Sequence, residues 1–87
     1  MFFMAHVYIL HSGILDKYYI GSTEDEINER LRRHLSNHAG FTARAKDWEV
    51  VYFEYYSEKK MAIAREKQIK AWKSKVRILE LIHKSKG

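Results

Sequence analysis

Residues 5–21 read AHVYILHSGILDKYYIG. Two runs in this stretch are rich in β-branched and aromatic residues, and a short polar link around Gly13 separates them. Runs of this kind on either side of turn-forming residues predict a β-hairpin. A hairpin brings Tyr8 and Tyr19 onto neighbouring strands, and the pairing register then decides whether the two side chains share a face of the sheet.

The rest of the chain predicts one more strand and three helices. Residues 23–26, Thr-Glu-Asp-Glu, fit a capping box and predict that a helix begins there, with an apolar stripe that runs to about Asn37. Residues 48–56, WEVVYFEYY, have adjacent apolar residues that favour a central strand covered on both faces. Ser57 and Ser74 are expected to cap two further helices. The order β-β-α-β-α-α predicts an α+β fold in which a small central three-stranded antiparallel sheet is flanked by helices.

Length and composition limit the class of protein. The 87 residues, 46% of them hydrophobic, suit one compact domain, which we expect to span residues 1–87. The absence of cysteine excludes a disulfide framework, a thiolate zinc site and a cysteine nucleophile. The apolar residues from Met1 to Ala5 are too few for a signal peptide or a membrane span, so we expect a cytoplasmic protein without membrane contact.

Charge is distributed unevenly along the chain. The formal net charge is +5, but residues 59–87 carry +8 and residues 1–58 carry −3. A basic segment neutralises phosphates and releases counterions, so the second half is the expected face for a polyanion such as DNA. Lysine-rich helices are also often plain solvated surfaces, and charge alone leaves the two interpretations about equally favoured.

Five short elements follow one another along the chain: Val7-Tyr8-Ile9, Tyr19-Ile20-Gly21, Arg30, His34, and Glu66 within the run REKQIKAW. This pattern resembles the GIY-YIG nuclease family and extends over nearly the whole chain. It is most similar to the small stand-alone bacterial members related to the nuclease domain of the excinuclease C subunit. The chain differs from the family pattern in two places: it has His6-Val7-Tyr8 for Gly-Ile-Tyr, and one residue more than expected between Gly21 and Arg30.

The resemblance implies an enzyme. It would be a metal-dependent endonuclease that hydrolyses DNA phosphodiester bonds, with a role in DNA repair or recombination. The resemblance also implies one bound Mg²⁺ or Mn²⁺ ion, with Glu66 as its ligand. The catalytic residues that it implies are Tyr8, Tyr19, Arg30, His34 and Glu66.

The chemistry of these side chains suits the task, although each also has an ordinary structural interpretation. Tyr8 or Tyr19 can deprotonate a water only if a nearby cation lowers its pKa from about 10. Arg30 and His34 lie one helical turn apart, so both can reach one phosphate. Glu66 offers hard oxygens to a metal ion. The structural alternatives are packing for the tyrosines, solvation for the arginine and an i,i+4 ion pair for the glutamate.

Further basic side chains are expected to contact the DNA backbone without reading its sequence. The Thr42 hydroxyl, in a basic loop, is predicted to reach the backbone as well. Two other functions stay open: a non-catalytic nucleic-acid-binding module that retains the fold, and a small RNA-associated or regulatory protein. The sequence does not predict the oligomeric state. The residues predicted to bind nucleic acid are Arg33, Arg44, Lys46, Lys67, Lys70 and Lys73.

Overall fold

The computed structural model describes residues 5–36 and 38–86 of the chain. It confirms the predicted α+β class and the element order, with one short 3₁₀ segment in addition. Asn37, where the first helix was expected to end, lies outside the described residues, and so do Met1 to Met4. The elements are β1 (Ala5–Ser12), β2 (Lys17–Thr23), α1 (Ile27–Ser36), the 3₁₀ segment (Phe41–Arg44), β3 (Glu49–Tyr56), α2 (Lys59–Trp72) and α3 (Lys75–Lys86).

The strand at the centre of the sheet is β1. The three strands are antiparallel in the order β2-β1-β3, so the prediction that β3 is central was wrong. Val7, Ile9 and Leu10 of β1 are fully buried, whereas Phe53 and Tyr55 of β3 are 46% and 57% exposed. The bulky aromatic residues of β3 therefore belong to an edge strand that is covered incompletely.

Hydrophobic clusters cover the sheet on both faces. On one face, Val7 and Ile9 pack with Ile69 of α2 and Ile82 of α3. On the other face, the buried residues Tyr8, Leu10, Ala45 and Trp48 form a smaller cluster. Leu31 and Leu35 of α1 pack against this second cluster. Because side chains alternate along a strand, Tyr8 is directed to the face where α1 and the 3₁₀ segment lie.

The first helix begins later than the capping box predicts. The Thr23 hydroxyl accepts the backbone N–H of Asp25 at 2.9 Å, which closes a local turn instead of capping a helix. The helix starts at Ile27, and the N–H of Arg30 donates to the carbonyl of Glu26 at 3.0 Å. The capping-box prediction was therefore wrong.

No helix within the described residues combines the length and the apolar character needed to cross a lipid bilayer.

Candidate active site

The register of the hairpin places the two tyrosines on one face. Tyr8 pairs with Gly21, and Tyr19 pairs with Leu10, so both tyrosines have the same orientation relative to the sheet. Their ring centroids are 6.4 Å apart. The ring of Tyr8 lies across Gly21: a Cβ atom at Gly21 would be 2.5 Å from the Tyr8 hydroxyl oxygen. Glycine is therefore needed opposite this tyrosine because no side chain fits beneath the ring.

A chain of hydrogen bonds leads from Tyr8 into the protein. The Tyr8 hydroxyl lies 2.9 Å from Nε2 of His34, and Nδ1 of His34 lies 3.0 Å from the Thr42 hydroxyl. The indole N–H of Trp48 donates to the Thr42 carbonyl at 2.9 Å and fixes the 3₁₀ segment. Thr42 is only 2% exposed, so the prediction that its hydroxyl reaches DNA was wrong. Its role is to orient the His34 ring.

Arg30 contacts the same hydroxyl from α1. Its Nε–H donates to the Tyr8 hydroxyl at 3.3 Å, and this hydrogen bond is the largest cause that raises the pKa of Arg30. Among residues 5–36 and 38–86, no hydrogen-bond partner occupies the terminal amino groups of its guanidinium. A guanidinium fixed at Nε with free amino groups suits a phosphate, which it can bind through two parallel hydrogen bonds.

Burial sets the protonation states of this network. Burial raises the pKa of Tyr8, and the opposing effect of Arg30 does not reverse the shift. Burial and the charge of Arg30 together lower the pKa of His34. At neutral pH the tyrosine is therefore a phenol and the histidine is uncharged. Since neutral imidazole has one donor and one acceptor, Nε2 can accept the Tyr8 proton while Nδ1–H donates to Thr42.

Glu66 lies on α2 and contacts the edge strand β2 at Ser22. The Ser22 hydroxyl donates to its Oε1, and Nζ of Lys70 donates to its Oε2, both at 2.5 Å. The i,i+4 ion pair that is the structural alternative for Glu66 is thus present. Its negative charge is also one of the causes that raise the pKa of Tyr8, so the carboxylate lies within electrostatic reach of the tyrosine.

The neighbouring Arg65 fixes the orientation of α2. Its Nε and Nη2 donate to the Glu54 carboxylate of β3 at 3.0 and 3.1 Å. This bidentate contact, in which the side chains of Arg65 and Glu54 are only 22% and 17% exposed, holds one side of the helix to the sheet. Glu66 is consequently directed to Ser22 on β2. The sequence offered no signal for these long-range pairings.

The donor set around Glu66 fits a single hard cation. A carboxylate has about four acceptor positions, and the contacts with Ser22 and Lys70 leave some of them free. In the part of the chain that the structure describes, no three acidic or histidine side chains form a cluster suited to metal binding. One carboxylate with waters and phosphate oxygens is a usual environment for Mg²⁺, so the residues present fit the predicted ion.

The residues predicted to bind nucleic acid have different surroundings. Arg33 is ion-paired with Asp25 at 3.0 Å, and Lys70 is ion-paired with Glu66. The Arg44 guanidinium lies over the ring of Phe41, 5.5 Å from its centroid. The side chains of Lys46, Lys67 and Lys73 are also exposed at the surface.

We expect the stability of the fold to depend on pH through His34. Its folded-state pKa is lower than the unfolded value of about 6.5, so its contribution is complete above that pH and is lost as the pH falls towards the folded-state pKa. Urea unfolding from pH 7.5 downwards should show that the stability advantage of the wild type over His34→Gln shrinks below about pH 6.5. A pH-independent difference would contradict a buried neutral imidazole. His83→Gln, at an exposed position of α3, is the matched control and should keep the wild-type profile.

Comparison with known proteins yields one match. The family model described as GIY-YIG catalytic domain matches residues 4–78, a stretch that contains every residue of the Tyr8 network and Glu66. No curated protein and no solved structure is significantly similar to the chain.

Proposed function

This chain belongs to the GIY-YIG family, a nuclease family, and from that premise we propose that it is a metal-dependent endonuclease that hydrolyses DNA phosphodiester bonds. The observation that carries the proposal is the Tyr8 hydroxyl, which contacts His34 at 2.9 Å and Arg30 at 3.3 Å. A buried phenol that joins an uncharged imidazole to a partly free guanidinium combines proton transfer with phosphate binding.

The two tyrosines take different roles in this proposal. Tyr8 is 1% exposed and fully engaged with protein partners, so it positions Arg30 and His34. Tyr19 is partly exposed, and its ring lies against His34 with centroids 4.8 Å apart. Its hydroxyl has no hydrogen-bond partner among the described residues. Tyr19 is therefore the tyrosine that contacts the attacking water and, as the phenolate, takes up its proton.

Arg30 and Glu66 complete the proposed chemistry. Arg30 binds the scissile phosphate through its free amino groups and stabilises the charge that develops on the phosphoryl oxygens. Glu66 would hold one Mg²⁺ or Mn²⁺ ion, and the bound cation would supply further positive charge at the leaving oxygen. In the structure Lys70 forms an ion pair with Glu66. When a cation binds Glu66 instead, Lys70 can pair with a DNA phosphate.

We further propose the finer properties that the sequence predicts. Residues 1–87 form a single catalytic domain whose described elements surround one sheet. The protein acts on DNA in the cytoplasm, in repair or recombination, and is related to the small stand-alone members associated with excinuclease C. One observation favours the alternative of a non-catalytic binding module: Ser22 and Lys70 occupy both carboxylate oxygens of Glu66.

The test of this function is cleavage of labelled duplex, single-stranded and branched DNA by the purified protein in Mg²⁺, Mn²⁺ or EDTA. The proposal predicts cutting that stops in EDTA. The alternative module predicts salt-sensitive binding of the same DNA with no cutting under any condition.

Removing one hydroxyl distinguishes the tyrosines. We expect Tyr19→Phe to lower the cleavage rate by about a hundredfold, the lower end for loss of a proton-transfer group. Stability should change little because the Tyr19 hydroxyl has no partner among the described side chains. Initial cleavage rates and urea unfolding of the same preparation measure both quantities. Tyr55→Phe, at a 57% exposed position of β3, is the control. Wild-type cleavage by Tyr19→Phe would remove this residue from the mechanism.

A further inference from the structure

A cleft of about 760 Å³ runs along the outer edge of β2, beside the proposed active site. Its volume falls within the range of about 300–1,000 Å³ that is usual for sites of small organic molecules. Tyr18, Tyr19, Ile69 and Ile78 contribute aromatic and aliphatic surface to its walls. Because Tyr19 belongs to both the cleft and the active site, a molecule in the cleft would lie next to the scissile phosphate.

One wall of the cleft is a stack of aromatic rings. Phe41 is 38% exposed although it is large and apolar, and its ring is stacked on Tyr19 with centroids 6.3 Å apart and planes 21° apart. Arg44 extends over the same ring. Exposed aromatic rings with a neighbouring guanidinium are the surface on which unstacked nucleic-acid bases bind.

The rim of the cleft is basic. Four lysines and one aspartate line it, and Lys75 pairs with Asp16 at 2.6 Å, which ties the hairpin turn to the start of α3. Lys17 and Lys73, by contrast, have no ion-pair partner among the residues described. Lys73 also has a left-handed backbone with φ of 49°, at a position after a helix that usually favours glycine. Strain at a residue other than glycine points to a function of its side chain, here the positive charge of Lys73 at the rim of the cleft.

We propose that this cleft binds one base of the substrate strand, pulled out of its stack, while Lys17 and Lys73 contact the adjoining phosphates. The inference rests on the proposed function and adds a substrate class: DNA with an unpaired or easily unpaired base next to the cut. Base pairing would prevent entry, so a fully paired duplex is the poorer ligand.

Binding without turnover tests the proposal. In EDTA, the wild-type protein is titrated with a single-stranded oligothymidylate of about ten nucleotides and with an abasic oligonucleotide of the same length and charge. One base in the cleft predicts about tenfold tighter binding of the oligothymidylate, within the range for stacking of a single base. Phe41→Ala should bring the two dissociation constants close together.

Substitutions that remove a lysine charge distinguish the contribution of the basic rim to binding from that of the aromatic wall. Lys73→Gly should weaken binding of both oligonucleotides to a similar extent and lower the salt dependence by about 0.7 in the logarithmic slope. It should also raise the urea midpoint, because glycine relieves the left-handed backbone. Lys60→Ala, at an 84% exposed lysine outside the cleft, is the matched control and should bind as the wild type does.

The outcomes for the cleft and for catalysis are separate. Equal affinity for the two oligonucleotides, no binding of either, or an affinity ratio unchanged by Phe41→Ala would overturn the base-binding cleft even if the protein cuts DNA. A base-dependent affinity that Phe41→Ala abolishes would support the cleft even if no substrate is cut, and the failure would then lie in the proposed nuclease activity alone.

Discussion

Glu66→Gln is expected to lower metal-dependent DNA cleavage by about a thousandfold, since the charge stabilisation that a cation supplies contributes several kcal/mol to such reactions. The substitution keeps the shape of the side chain, and the amide oxygen can still accept the Ser22 hydroxyl. It removes the charge that would hold a cation, and it removes the ion pair with Lys70, whose side chain is 51% exposed. Because the Glu66 side chain itself is only 18% exposed but keeps its contact with Ser22, the free energy of unfolding should fall by about 1–2 kcal/mol.

The measurement is the cleavage rate over a titration of Mg²⁺ and of Mn²⁺, with urea unfolding of the same preparation. Glu58→Gln is the matched control because this exposed carboxylate precedes the same helix and contacts only Lys60 at 3.6 Å among the described ion pairs. Cleavage by Glu66→Gln at the wild-type rate would exclude Glu66 as the metal ligand. Cleavage that recovers at higher metal concentration would show weakened metal affinity and would support the assignment.

Local patterns predicted the elements of the fold better than their positions in the sheet. The hairpin follows from residues 5–21 alone because it depends on neighbouring runs and the link between them. Whether β1 or β3 lies at the centre depends on which strand the returning chain joins, and pairing between residues 38 to 51 positions apart leaves no local trace. The aromatic run of β3 resembles a buried strand, yet Phe53 and Tyr55 are about half exposed.

In the candidate site, too, the sequence predicted the main residues but not the long-range contacts that support them. The family motif singled out Tyr8, Arg30 and His34, which the structure brings into hydrogen-bonding contact. The supporting partners were not predicted, since Thr42 and Ser22 are common loop and strand residues whose contacts span 8 and 44 positions of the chain. The one readable signal was a glycine within a strand, which often marks close approach of another group.

That glycine gives the second large effect: we expect Gly21→Ala to destabilise the fold by about 2 kcal/mol and to lower cleavage at least about a hundredfold. The added Cβ would lie 2.5 Å from the Tyr8 hydroxyl oxygen and 2.6 Å from Cζ, well inside contact distance. The buried Tyr8 ring can move away only by breaking its hydrogen bond to His34. Urea unfolding and initial cleavage rates measure the two consequences.

Gly13→Ala is the matched control for Gly21→Ala, because a Cβ at Gly13 would meet its nearest atom, an oxygen of Asp47, at an ordinary 3.6 Å. A double-mutant cycle with Tyr8→Leu then isolates the cause. Leucine lacks the ring atoms that the alanine would meet, so Gly21→Ala should cost much less stability in that background than in the wild type. An equal loss of stability in both backgrounds would mean that the strand itself needs glycine at position 21. The Tyr8 ring would then not depend on the absence of a side chain at Gly21.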